Sequence, residues 1–262
     1  MEEKLKQLRK DCLKLSYICQ DGNLQSAFSC MEIVWSLYHE VMNWSPQLAQ
    51  SEDRDYFVVS KGQATLALYA ILIEKGMFAQ SEFSDMGSFS SRYCIQADPV
   101  KFPEGGIENA AGSLGHGLPF AVGRAMAAKI KEKTSKVYVL TGDGEFCEGT
   151  MWESCLFAAD KKLDNLCVVI DDNHSVGAMI DMGDMKRKLE SFGFDVYEVD
   201  GHKRELLTET FLKLESSGKP KAVIASTVRG YGSKTLTEQD VWFHKAPNAE
   251  ELEMLCREVD EF

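Results

Sequence analysis

Positive charge, long apolar runs and paired cysteines are what this chain has little of. Its 29 lysines and arginines face 41 aspartates and glutamates, a formal net charge of −12 over 262 residues. Sequence-independent nucleic-acid binding draws its affinity from basic side chains that neutralise phosphates, and no basic stripe offsets the acid here. Nucleic acid is therefore not an expected partner. No apolar run approaches the roughly 20 residues a membrane-spanning helix needs, and the charged, acid-containing N-terminus is unlike a signal peptide. The expectation is a soluble, cytoplasmic protein with no membrane contact. Eight cysteines occur, none in a CxxC pair, and most fall within apolar patterns. They read as buried thiols in a reducing compartment. Internal repeats, low-complexity tracts and Pro/Gly/Ser linkers are missing as well. With 44% hydrophobic residues the chain can bury one large core, so it reads as a single domain over 1–262.

What is present is a repeated strand-turn-helix pattern. Val137-Tyr138-Val139-Leu140 is short, apolar and rich in β-branched and aromatic residues, and it stops at Gly142-Asp143-Gly144. The apolar residues from Met151 to Leu163 recur at helical spacing and supply a crossover helix over 150–163. A second apolar run, Leu166 to Ile170, closes at Asp171-Asp172-Asn173. Strand, helix and strand make one βαβ unit. In open parallel sheets ligands settle beyond the carboxyl ends of strands, which is where Asp143 and Asn173 both fall.

One divalent metal could join those two residues. Magnesium prefers oxygen ligands in near-octahedral geometry, so a carboxylate from Asp143, an amide oxygen from Asn173 and a backbone carbonyl, for which Ser175 is placed, suit it together with diphosphate oxygens and water. Gly142 and Gly144 allow close backbone approach to a diphosphate. A plain turn between strand and helix remains the alternative, because short glycine motifs are common in α/β proteins.

Helical periodicity also covers 5–18 and 30–42, with Ser29 as a cap and Glu32 completing a capping box. Further helices are expected over 65–73, 118–131 and 204–214, and strands over 56–59, 194–199 and 222–227. Residues 78–98 read as irregular with short helical pieces. The fold class is α/β, a doubly wound, mostly parallel sheet with helices on both faces.

The segment GDGEFCEGTMWESCLFAADKKLDNLCVVIDDN resembles the thiamine-diphosphate motif of the transketolase family. The resemblance implies thiamine diphosphate and Mg2+ as cofactors, with Asp143 and Asn173 as metal ligands and Ser175 as carbonyl donor. It implies that Glu148 and Glu153 are the paired acids that link two active sites across a dimer interface; alternatively they are ordinary solvated acids at a helix start. Ser60-Lys61-Gly62 resembles the family's strand-end turn, and Gly112-Ser113-Leu114-Gly115-His116-Gly117 its cofactor-contacting loop. By that likeness Gly112, Ser113 and Leu114 lie along the cofactor, and His116 either faces substrate or caps the following helix. Arg229-Gly230-Tyr231-Gly232 and His244-Lys245-Ala246-Pro247 resemble the closing loop, whose histidine contacts diphosphate and reacting centre. His244 is the candidate; alignment from Trp242 puts Phe243 there instead.

The likeness covers only the first of three transketolase domains. The glutamate that activates the cofactor belongs to the second, so the expected partner is a C-terminal transketolase-like subunit, in an α2β2 assembly with the cofactor between unlike chains. Ketol transfer from a ketose to an aldehyde is the implied reaction, and the cofactor carries its chemistry. Three histidines of the family pattern are absent: Asn23, Gln63 and Ala97 stand in their places. Asn23 and Gln63 keep hydrogen-bonding capacity but do not titrate near neutrality. That departure points to a specialised sugar substrate. It leaves open a 2-oxo-acid decarboxylating carboligase, or a catalytically silent subunit. Gln63, His116 and His244 are the candidate catalytic residues.

Overall fold

The structure is a computed structural model, and it describes residues 2–177, 180–214 and 217–262. The chain opens with helices α1 (Glu2–Cys19), α2 (Leu24–Ser29) and α3 (Met31–Ser36), the last running into a π-helical turn at Leu37–Val41. Strand β1 (Tyr56–Val59) and α4 (Thr65–Glu74) follow, then an irregular stretch and α5 (Gly117–Ile130). Next come β2 (Val137–Gly142), a 3₁₀ turn at Asp143–Cys147, α6 (Gly149–Asp160) and β3 (Leu166–Asp172). The remainder is α7 (Met185–Ser191), β4 (Asp195–Asp200), α8 (Arg204–Leu212), β5 (Lys221–Ser226), α9 (Lys234–Glu238) and α10 (Ala249–Glu261).

Among the described residues five strands pair in parallel, in the order β1-β2-β3-β5-β4. β1, β2, β3 and β5 are buried at almost every position because both faces are covered, whereas the edge strand β4 is half-exposed and carries Asp195, Glu198 and Asp200. Phe57, Val59, Tyr138, Leu140, Val169 and Val223 point into a core shared with α1, α2, α3, α4 and α8. Tyr56, Val58, Val137, Val139, Val168 and Ile224 point the other way, against α5, α6 and α7. The doubly wound sheet expected from the sequence is the one observed. Its parallel register sets the carboxyl ends of β1, β2 and β3 side by side: Val59 pairs with Leu140, and Gly142 with Asp171.

One expected helix is built differently. Ser29 does not cap a helix over 30–42; it is the last residue of α2, and its hydroxyl donates to the Asp171 carboxylate at 2.6 Å. Glu32 likewise does not complete a capping box. It is drawn to Arg9, 2.6 Å away, and to His202 at 3.2 Å. Buried ionic partners outcompete a local cap, which contributes only about 1 kcal/mol. The cysteines are also less uniform than expected: Cys12, Cys30, Cys155 and Cys167 are buried, while Cys147 is exposed.

Candidate functional site

Strand ends place the acid and the amide. Asp143 follows β2 directly and is 5% exposed. Its Oδ1 accepts from the Ser175 hydroxyl at 2.7 Å and from Gly144 N at 2.9 Å; Oδ2 accepts from Val176 N at 3.1 Å. Asn173 follows β3, and its Oδ1 accepts from Ser175 N at 3.1 Å. Asp143, some thirty positions earlier in the sequence, is thus joined through Ser175 to Asn173. On the far side Asn173 Nδ2 donates to Ser29 Oγ at 3.3 Å and to Asp171 Oδ2 at 3.5 Å, which turns its amide oxygen towards Ser175. One carboxylate, one amide oxygen and one backbone carbonyl make an all-oxygen set suited to a hard divalent cation.

A cavity of about 460 Å³ opens beside this point, walled by Lys61, Gln63, Leu114, Gly142, Asp143, Gly144, Glu145, Glu148, Ser175, Arg229 and Phe243, among others. Two glycines in its wall have room to spare. A Cβ added to Gly144 comes no nearer than 4.0 Å to another atom, and one on Gly142 meets only the Lys61 side chain at 3.6 Å and beyond. Neither glycine has a left-handed backbone, so neither packing nor conformation of the chain itself requires it. The open space beside both leaves the backbone accessible to a group outside the chain, as a diphosphate would need.

The cavity also holds positive charge. Lys61, buried at the end of β1, pairs with Asp171, which is completely buried and also accepts from Ser29 and Thr227. Burial opposes the charge on Lys61, but Asp171 more than offsets it and the ammonium pKa is raised. Arg229 enters from the other side, its Nη2 donating to Gln25 Oε1 at 2.9 Å. Glu145 is buried too, and burial pushes its carboxyl up. Neither Lys61 nor Glu145 stands out in the sequence as a site residue, although both lie inside the motifs that resemble the family's. Their side-chain partners, Asp171 and Ser60, are distant along the chain, and composition and spacing carry no sign of them.

The remaining candidates divide. Leu114 lines the cavity, whereas Gly112 faces Gln96, 3.3 Å from where its Cβ would stand, and neither it nor Ser113 forms part of the wall. His116 occupies the N-cap position of α5 without a side-chain cap bond; its Nδ1 lies 3.0 Å from Leu114 O, outside the cavity. Gln63 and Glu148 are in the wall, and Glu153 lies one turn along α6.

His244 does not line the cavity, whereas Phe243 does. Trp242 is buried, an antiparallel bridge pairs Phe243 with Asn23, and successive side chains then point to opposite sides. His244 follows with φ of 51°, its ring turned to Asp21 Oδ1 at 3.1 Å. Among the described residues no histidine lines this cavity.

Comparison with known proteins gives the family to which this fold belongs. Residues 6–258 match the family model described as transketolase, thiamine diphosphate binding domain. An apulose-4-phosphate transketolase subunit from Actinobacillus succinogenes is 36% identical over 99% of this chain and 95% of its own length. The protein of the same name from Phocaeicola vulgatus is 34% identical over 97% of this chain and 91% of its own. Among solved structures, transketolase from Campylobacter jejuni superposes with a TM-score of 0.83 at 28% identity, covering 100% of this chain but 42% of that one. The chain spans about two fifths of that transketolase and nearly the full length of the two subunits. It belongs to the transketolase family, and what it matches is that family's thiamine diphosphate binding domain.

Proposed function

We propose that this chain is the diphosphate-binding subunit of a two-chain transketolase that moves a two-carbon ketol unit from a ketose phosphate to an aldehyde. The observation that carries this reading is the convergence of Asp143, Asn173 and Ser175 beside a cavity whose two glycines have no reason within the chain to be glycine. Asp143, Asn173 and the Ser175 carbonyl would hold Mg2+, with Gly142 and Gly144 admitting the diphosphate. Lys61 and Arg229 place positive charge near the phosphate oxygens, and Leu114, Val176 and Phe243 keep one wall apolar. Thiamine diphosphate, when bound, supplies the electron sink for cleavage and formation of the carbon–carbon bond. This chain's part is to bind, orient and exclude water.

A second subunit completes the site. It would carry the pyrimidine-binding and C-terminal domains and the activating glutamate, in an α2β2 assembly. Support comes from the two apulose-4-phosphate transketolase relatives, which are named as subunits and are similar to this chain over almost their whole length, and from exposed apolar residues on α5 and α6. Phe120, Leu156 and Phe157 stand in solvent next to the helix start that bears Glu148 and Glu153, as at an association surface. Apulose 4-phosphate is the donor to test first, since both relatives are named for it. Cytoplasmic location is supported by eight cysteines that are all unpaired.

A 2-oxo-acid carboligase and a silent subunit have no comparable support: the relatives are transketolase subunits, and Asp143 and Asn173 are intact. The test is co-purification with the product of the neighbouring gene, followed by a donor panel. Turnover of hydroxypyruvate or a ketose phosphate is expected. Turnover of pyruvate alone, or no turnover with any donor, overturns the reading.

A further inference from the structure

Several separate stretches of chain wall the cofactor cavity, and one side chain ties three of them together. Glu145 is 2% exposed, directly after the Gly142-Asp143-Gly144 turn. Its Oε1 accepts from Ser60 Oγ at 2.6 Å and from Gly115 N at 2.8 Å, and its Oε2 accepts from Gly142 N at 3.0 Å. Ser60 begins the turn that carries Lys61 and Gln63. Gly115 follows Leu114, and Gly142 precedes Asp143. Ser60 Oγ in turn accepts from Gly117 N at 3.2 Å, so the same contact reaches the start of α5.

Stability alone is a poor reason for such a group. A buried carboxylate is costly to desolvate, and replacing buried ionic groups with apolar ones is often neutral or favourable. What three charge-assisted hydrogen bonds provide is fixed geometry between the three stretches. The spacing of Lys61, Leu114 and Asp143 around a ligand depends on that geometry.

We infer that Glu145 is a positioning residue: it locks the three cofactor-binding loops together and thereby sets cofactor affinity, without touching the reacting atoms. The inference rests on the reading that this cavity takes thiamine diphosphate. It adds a role that neither the metal ligands nor the glycines fill. Glu145→Gln keeps the volume but turns an amide NH2 against one of three donors.

The test uses this chain assembled with its partner subunit. Titration calorimetry with thiamine diphosphate and Mg2+ should show Kd raised about 10- to 100-fold in Glu145→Gln, the range for lost partners of metal ligands. kcat at saturating cofactor should fall less than about threefold and donor KM should stay within about twofold, a split that general loosening does not produce. Amide exchange at Gly115 or Gly142 should quicken. Ser60→Ala, which removes one bond of the three, should raise Kd by a smaller factor and decides the matter if Glu145→Gln does not fold. A cofactor Kd within about twofold of wild type in the variant measured, or kcat falling in step with affinity, overturns the inference. Failure of the wild-type assembly to bind thiamine diphosphate removes the cofactor reading as well, and is told apart by needing no variant.

Discussion

Replacing Arg9 with methionine strands a charge. Arg9 and Glu32 have side chains 4% and 5% exposed, and their shortest contact is 2.6 Å. Arg9 Nε also donates to Tyr231 O at 2.8 Å, tying α1 to the loop that carries Arg229 into the cavity. Methionine fills much of the space but leaves Glu32 with His202 alone, whose Nε2 already accepts from Val228 N at 2.8 Å. Breaking a buried pair on one side costs about 3–5 kcal/mol, because the remaining charge is uncompensated. At roughly 2–4 °C per kcal/mol for a chain of this size, the melting temperature should drop by roughly 6–20 °C at pH 7. The pH dependence carries the sign. In the wild type burial pushes the Glu32 carboxyl up, but Arg9 and His202 more than reverse this and lower it from its ordinary 4.5. The pair's contribution is thus complete above 4.5 and is lost as pH falls through the folded value. Without Arg9 the same burial raises the carboxyl, and the penalty disappears as pH falls towards 4.5. The gap between variant and wild type should therefore narrow on acidification from about pH 8 towards about 5, measured by urea denaturation. Arg9→Met with Glu32→Leu should recover most of the loss. A gap below about 1 kcal/mol at pH 7, or one independent of pH, refutes the reasoning.

Four other substitutions test the site and the assembly. Gly144→Ala meets nothing within 4 Å but Val176, so its unfolding free energy should change by less than about 0.5 kcal/mol while cofactor Kd rises at least tenfold; unchanged affinity in calorimetry would mean that no ligand approaches there. His244→Ala should leave kcat and donor KM within about twofold, and Phe243→Ala should raise donor KM several-fold; the reverse pattern in steady-state kinetics would return His244 to the active site. Phe157→Glu puts charge on the exposed α6 face and should reduce the assembly to one copy of each subunit in analytical ultracentrifugation; an unchanged mass would move the association surface elsewhere.

Features that depend on neighbouring residues are legible in the sequence. The strand ending at Gly142-Asp143-Gly144 is visible because apolar runs and glycines are local, and the parallel sheet follows from strands separated by helical stretches. Asp143, Asn173 and Ser175 can be linked from the sequence because each sits just beyond a strand. The helix expected over 30–42 starts differently for a physical reason. Ser29 and Glu32 have capping-box spacing, but Asp171 and Arg9 compete for them from positions no local pattern reveals. Lys61–Asp171 and Glu145–Ser60 are hidden for the same cause, being 110 and 85 positions apart. The Phe243/His244 register turns on a single bridge to Asn23. The capping box that does form, Asn248 with Glu251 at α10, is local and had the spacing to be read.

Binding of thiamine diphosphate with Mg2+ to the assembled subunits, measured by calorimetry on wild type and Asp143→Ala, tests the central claim most directly. One saturable site per pair of unlike chains is expected in the wild type. That binding should be lost in Asp143→Ala, and in wild type after removal of the divalent cation by chelation. Full retention of binding in Asp143→Ala, or none in the wild-type assembly, would contradict it.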